Sequence, residues 1–542
     1  MFCEKCGQQN ETGVNFCINC GNKLAQDVPN RQLSQKSDSK TKSILKVIIP
    51  AAIALAIILI ALTLTSGGPG NFYFASDSIT IFKADGSFYI SGNNNATFSL
   101  DSCSYISNVA YSMDGSKAAI LTNEHVLWFV TTNEKKEVAE DVDSFTLSAD
   151  GSTIAYLTDD GGTATLYVYD TSSGKKEKIT DEAGFFAVLS PDGKSIAYTK
   201  IKSAADFELD GYIKMGNKSP EKLGENTVCF ALSNGGQYLY YFKYDNNTWD
   251  ASVYAKKGNK ETKLFSTSTN DLDDIFFHFN RDLSQAIFSY DGKSYLCKNA
   301  DEKVKLINAD IIEIITPANS RYVKLFGDSL PSVAYGLEDL SNIVLLTDNN
   351  SLEYLNKKAE TTTIETNCTQ VQLSEDGKTL YYLYDGDKLI RKNLAKIDAA
   401  EEEIADDIMS YVVSTDGSKV YYVNYIQELY YIRKGSSKPK KIADDVRDDS
   451  LCITSDGNVA LYLADYNNGL YTLYYSMNGG KKKKIADDVY KVMTTTTSAF
   501  YLADSDKSGY DLYRSKNGTK FEKLKEEVGD DIISSQKTKI DF

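Results

Sequence analysis

Two patterns of apolar and polar residues divide this chain. The first is one uninterrupted run, Val47–Thr65, with 19 residues and no charge among them. At ~1.5 Å per residue, a helix of that length nearly matches the ~30 Å hydrocarbon core of a bilayer. Pro50 falls in its first turn, where a missing N–H matters least. The second pattern starts after Gly70. Short β-rich runs alternate there with turn residues, and no ten-residue amphipathic helix pattern interrupts them.

The β-rich part is a repeat. S-x-D-G or a close relative, followed by an apolar strand, recurs at Ser112, Ser148, Ser190, Ser233, Ser374, Ser414 and Thr454. Weaker relatives at Asn280, Thr316 and Thr494 bring the number of starts to ten. After each start come a polar turn, a second strand, a Gly/Lys-rich hairpin and a third strand such as KPKKIA or KKKKIA. A crossing through A-D-D-V or a relative then leads into the strand before the next start. Four strands in about 40 residues is the period of a β-propeller blade, and Asp-Gly supplies the left-handed turn of a tight hairpin. The expected fold class is all-β, a β-propeller of four-stranded blades over residues 71–542. LSPDGKSIAY, Leu189 to Tyr198, resembles the blade hairpin of exported propellers of the TolB and dipeptidyl-peptidase N-domain type. That resemblance covers most of 72–542 and implies an architecture rather than an activity. Such rings usually hold about 4–8 blades, so one ring of seven or eight is expected from the ten starts, with two smaller rings as the alternative.

Charge orients the apolar run. Arg31, Lys36, Lys40, Lys42 and Lys46 precede it, and the first basic residue after it is Lys83. The positive-inside rule makes residues 1–43 cytoplasmic and 67–542 extracytoplasmic, joined by a transmembrane helix over 44–66. No A-x-A site follows the run, so the expectation is an uncleaved anchor in the cell membrane. Beyond Gly70 the chain carries 52 basic and 71 acidic residues, a net of −19. Such a surface repels nucleic acid and anionic lipid.

The chain opens MFCEKCGQQNETGVNFCINCGNKL. Cys3, Cys6, Cys17 and Cys20 form two C-x2-C-G turns, a donor set that closes a tetrahedral four-thiolate Zn²⁺ site. About 24 residues cannot bury a sufficient core, so the metal supplies the folding energy. A reducing cytosol favours metal-bound thiolates over disulfides. Residues 1–24 resemble the short zinc-ribbon heads of many bacterial membrane proteins, which implies a structural zinc with no open position. The polar stretch 25–43 is expected to be a flexible linker.

Other candidate chemistry is sparse. His125 and His278 lie in different repeat units with no nucleophile motif beside either, and are expected to be ordinary turn and core residues. Cys103, Cys229, Cys297, Cys368 and Cys452 are expected to be buried thiols. The pairs Asp406-Asp407, Asp444-Asp445, Asp487-Asp488 and Asp530-Asp531 recur at the crossings and are expected to be solvated turns rather than calcium ligands. Lys481–Lys484 is expected to be a hairpin facing water. The function expected is an extracytoplasmic module that binds or scaffolds a protein or envelope ligand on a propeller face. An exported hydrolase or lyase acting on envelope glycan or peptide through paired carboxylates is the alternative, and the sequence leaves open whether the chain is an enzyme.

Overall fold

Each S-x-D-G turn folds as it does because its polar groups find partners within five residues. The Ser414 N–H donates to the Lys419 carbonyl at 2.9 Å. The Lys419 N–H donates back to the Ser414 hydroxyl at 2.9 Å, and that hydroxyl donates to Asp416 at 2.6 Å. Asp416 also accepts the Ser418 N–H at 2.9 Å. Gly417 takes φ +66, which a Cβ would strain. The same hydroxyl–carboxylate bond recurs at Ser112, Ser148, Ser190, Ser374 and Thr454. The signature is therefore structural: a buried serine closes the first strand, and its aspartate sets the turn.

The computed structural model describes residues 79–533, apart from 85–86, 92–96, 101–102, 104, 160–163, 204–207, 273, 302, 318–322, 328–329, 496–497 and 506–508. The described residues form 43 strands, with four three-residue 3-10 turns as the helical content. Three long strands, Lys176–Leu189, Lys483–Thr494 and Glu522–Ile533, each end one unit and begin the next. The strands thereby make eleven four-stranded antiparallel units. Units 1 to 10 carry the ten starts in order. The closing unit joins the chain's two ends: its first strand is the last half of Glu522–Ile533, paired as Ala84↔Val528 and Ile81↔Ile533, and its other strands are Thr80–Ala84, Ser87–Ser91 and Thr97–Leu100.

Every unit shares a buried apolar core with the next. Unit 10 in turn packs on the closing unit through Phe500, Leu502, Leu512 and Val528 against Phe82 and Ala84. The circuit of cores thus returns to its start. Successive D-G turns also lock together. A Cβ on Gly457 would lie 2.8 Å from the Ser414 Cβ, and one on Gly417 3.0 Å from the Ser374 Cβ. The Tyr381 and Tyr421 hydroxyls donate to the Gly417 and Gly457 carbonyls of the following units at 2.8 and 3.0 Å.

Two expectations change. Seven or eight units become eleven, because all ten starts head genuine units and the closing unit, split between the chain's ends, has no such turn. In addition, Thr316 leads first into an inserted hairpin, Val323–Gly327 and Leu330–Leu337, and the unit's second strand is Ile343–Thr347. The hairpin pairs in parallel with Phe276–Asn280 of unit 5. Val333 and Tyr335 there join a core with Ala149 of unit 2, Phe230 of unit 4 and Phe277 of unit 5, with Met113 of unit 1 packed against it.

Four of the five cysteines, Cys103, Cys229, Cys297 and Cys368, are buried, Cys452 is half-buried, and all five are free thiols. Burial pushes the Cys229 and Cys368 thiols up to about 12. His125 sits in a turn at φ +62 and His278 is buried in a strand, as expected. Lys481–Lys484 is exposed. The proposed zinc ligands Cys3, Cys6, Cys17 and Cys20, the linker 25–43 and the apolar run of 44–66 lie outside the described residues. Among the described residues no helix is long and apolar enough to cross a membrane.

Candidate functional site

A four-stranded meander has two ends, and this one makes them chemically different. The S-x-D-G turns and the Lys-rich hairpins share one end: the Lys434 N–H donates to Ser418 O at 2.7 Å, and the Leu394 N–H to Lys378 O at 2.8 Å. The middle hairpin turns and the unit-to-unit crossings share the other: the Val142 N–H donates to His125 O at 2.9 Å, and the Val446 N–H to Gln427 O at 3.0 Å. The crossings need a left-handed residue just before the next inner strand. Asp141, Asn226, Asn367, Asp407, Asp445 and Asp488 supply it, with φ from +45 to +58. Short Asp and Asn side chains tolerate that conformation best, which explains the second aspartate of A-D-D-V.

The consequence is a strongly acidic crossing end. Five of its described connections read DNNTW (245–249), DNNS (348–351), DGD (385–387), YIQE (425–428) and DDVRDD (444–449). Among the described residues of these connections Arg447 is the one cation, and Asp449 holds it with bonds of 2.5 and 2.7 Å. The opposite end mixes Lys194, Lys378 and Lys438 with the turn aspartates. Among the described residues, seven of the eight exposed large hydrophobic side chains also stand at the crossing end: Tyr105, Phe185, Trp249, Ile312, Tyr425, Ile426 and Tyr466. Burial together with the Asp348 and Asp291 carboxylates raises Asp310 at this end.

That last shift fixes a pH dependence. A carboxyl raised in the folded state contributes stability below its ordinary value and loses it as pH rises through the raised value. Asp310→Asn is therefore expected to raise the midpoint of thermal unfolding at pH 7, with the advantage gone near pH 3, where the wild-type carboxyl is already protonated. A neutral or lower midpoint at pH 7 would contradict the crowding of acids here.

Asp387, Asp406 and Asp407 bring one carboxylate oxygen each within 4.8 Å of one another. Their meeting follows from the crossing, because the Ile408 N–H donates to Asp387 O at 2.9 Å. The two paired aspartates are exposed, in keeping with a solvated turn.

A groove of about 1330 Å³ lies at this end in unit 4, with Glu208 of unit 3 on its rim. Tyr244, Trp249 and Tyr254 give it aromatic surface, and Asp245 and Asp250 give it charge. The loop is built on Asp245. Its carboxylate accepts the Asn247 N–H at 2.7 Å and the Thr248 N–H at 3.4 Å, and these bonds hold its carboxyl below the usual range. The Trp249 N–H donates to Asp245 O and the Thr269 N–H donates to Trp249 O, both at 2.8 Å. So clamped, Trp249 sits at φ +58 with 47% of its surface exposed. A bulky residue in that region is an outlier, and such outliers gather at functional sites. Sequence patterns alone do not single out this tryptophan. The one signal is a turn-forming D-N-N-T run ending on one of the chain's two tryptophans.

Residues 2–24 match the model of the zinc-ribbon domain, and they contain all four N-terminal cysteines. No curated protein matches the chain. Among solved structures, the tricorn protease aligns at 11% identity and TM-score 0.27, over 77% of this chain and 57% of its own. TolB from Acinetobacter baumannii aligns at 17% identity and TM-score 0.27, over 44% of this chain and 65% of its own. A eukaryotic initiation factor aligns at 14% identity and TM-score 0.34, over 79% of this chain and 98% of its own. This chain thus spans less than two thirds of the first two structures.

Proposed function

We propose that this chain is a single-pass membrane protein, cytoplasmic over 1–43 and extracytoplasmic over 67–542, whose exported part is an eleven-bladed β-propeller that binds an envelope or protein ligand. The cytoplasmic head is a structural zinc ribbon in which Cys3, Cys6, Cys17 and Cys20 hold the ion. One observation carries the binding role: exposed aromatic side chains and a concentration of carboxylates coincide on the crossing end. Isolated exposed apolar residues are ordinary, but a gathering of them on one surface marks an interaction site.

The test is face-specific. Full-length protein carrying Tyr425→Ser, Ile426→Ser and Tyr466→Ser is compared with protein carrying Lys438→Ser, Lys481→Ser and Lys520→Ser for retention of envelope components. All six positions are exposed, so both variants are expected to fold. At least a fivefold loss is expected for the first variant, and wild-type retention for the second. Equal retention by the two variants would remove the crossing end as the binding surface.

A further inference from the structure

Four Asn-Gly pairs occur in the chain, beginning at Asn234, Asn468, Asn478 and Asn517. An asparagine followed by glycine is prone to close on itself, because no side chain hinders the approach of the glycine nitrogen to the asparagine amide. The fold restrains three of the four. The Asn234 carboxamide oxygen accepts the Asp192 N–H at 3.0 Å. The Asn517 oxygen accepts the Thr519 and Lys520 N–H groups at 3.0 and 3.1 Å. Gly479 is buried against the Tyr431 ring, and the Asn478 N–H donates to Asn458 O at 2.8 Å. The S-x-D-G turns are held at both reacting groups. The Gly417 and Gly457 N–H groups donate to Ser414 O at 2.8 Å and Thr454 O at 2.7 Å, and the aspartates accept from the same residues' hydroxyls.

Asn468 is different. With Gly469 it makes the two-residue turn between Val459–Asn467 and Leu470–Met477, at φ +50 and +93. Both residues are exposed, and a Cβ on Gly469 would meet nothing within 4 Å. Among the described residues, neither the Asn468 carboxamide nor the Gly469 N–H has a hydrogen bond.

We propose that Asn468-Gly469 is a modification site, at which this crossing-end hairpin converts spontaneously to aspartate and isoaspartate. The Gly469 nitrogen gives its proton to hydroxide and attacks the Asn468 side-chain carbonyl carbon. The new C–N bond closes a five-membered succinimide, and ammonia leaves with a proton taken from water. Water then opens the ring. Cleavage at the side-chain carbon leaves aspartate, and cleavage at the main-chain carbon leaves isoaspartate, with one more carbon in the backbone. Either product adds a carboxylate to an end that is already acidic, two residues from the exposed Tyr466. Isoaspartate also lengthens a two-residue turn, whose geometry sets the register of its strands. The crossing face therefore changes with the age of the molecule.

The experiment incubates full-length protein in detergent at mildly alkaline pH, native and in urea. Digests are mapped by mass spectrometry that separates aspartate from isoaspartate. In the native protein the Asn468 peptide is expected to gain about one dalton at least tenfold faster than the peptides of Asn234, Asn478 and Asn517, which react only when the fold opens locally. Its native rate is expected to stay within about fivefold of its rate in urea, as befits an exposed loop tip. In urea all four sites are expected to convert at similar rates, because the local sequence alone then sets them. Native conversion of any other site as fast as Asn468 would overturn the proposal. So would a native Asn468 rate more than about fivefold below its rate in urea. The readout needs no ligand, so it succeeds or fails independently of the binding role above.

Discussion

Gly457→Ala is expected to destabilise the β-rich domain by about 2–5 kcal/mol, the sum of a left-handed backbone penalty and an overpacking penalty. Gly457 holds φ +61, and the new methyl group would lie 2.8 Å from the Ser414 Cβ and 3.2 Å from the Lys419 Cβ. Both contacts are to carbons rooted on the backbone, so no side-chain rotation relieves them. Relief requires the turns of units 8 and 9 to separate, and that loosens the Tyr421 bond to the Gly457 carbonyl. Gly258→Ala is the control. Gly258 holds φ +57, and a Cβ there would meet nothing within 4 Å, so only the backbone penalty of about 1–2 kcal/mol applies. Urea midpoints of the two variants measure the difference. Equal losses would show that the turns do not interlock.

Ending the chain at Glu527 is expected to have a still larger effect, a failure of the whole β-rich domain rather than of one turn. The residues removed provide the first strand of the closing unit, so Thr80–Ala84 loses its hydrogen-bonded neighbour. Val528 is fully buried between Phe82 and Ala84 on one side and Phe500, Leu502 and Leu512 on the other. Losing such side chains from a core costs about 1.5–3 kcal/mol each. The strand edge and apolar surface left open are those that drive aggregation. A chain ending at Ile533 keeps both and serves as the control. Gel filtration and limited proteolysis are expected to show a folded monomeric domain for the longer chain and aggregated, protease-sensitive material for the shorter. A soluble, protease-resistant chain ending at Glu527 would mean that the two ends are not joined.

These outcomes also mark how far the sequence is readable. All ten starts are legible because the S-x-D-G turn satisfies its own polar groups locally and therefore repeats its letters. The closing unit is not legible, since its strands come from opposite ends of the chain and no turn joins them. The usual size of propeller rings then argues against the ten starts, and the starts are right. The inserted hairpin is equally hidden: Leu330–Leu337 reads as another short strand, and only the parallel pairing of His278 with Ala334 shows where it goes. The aspartate pairs are visible as crossings, but the left-handed backbone that requires the second aspartate belongs to the folded chain. Trp249 is the clearest omission. Its exposure comes from a backbone clamp between Asp245 and Thr269 that no local pattern announces.

One closed circuit of eleven units underlies both the fold and the acidic crossing end. Electron-microscopy class averages of the full-length protein, viewed along the axis of the β-rich domain, test that circuit most directly. The expected result is a single closed ring with eleven blades. Seven or eight blades, two separate rings, or an open arc with a gap between Ala84 and Val528 would contradict it.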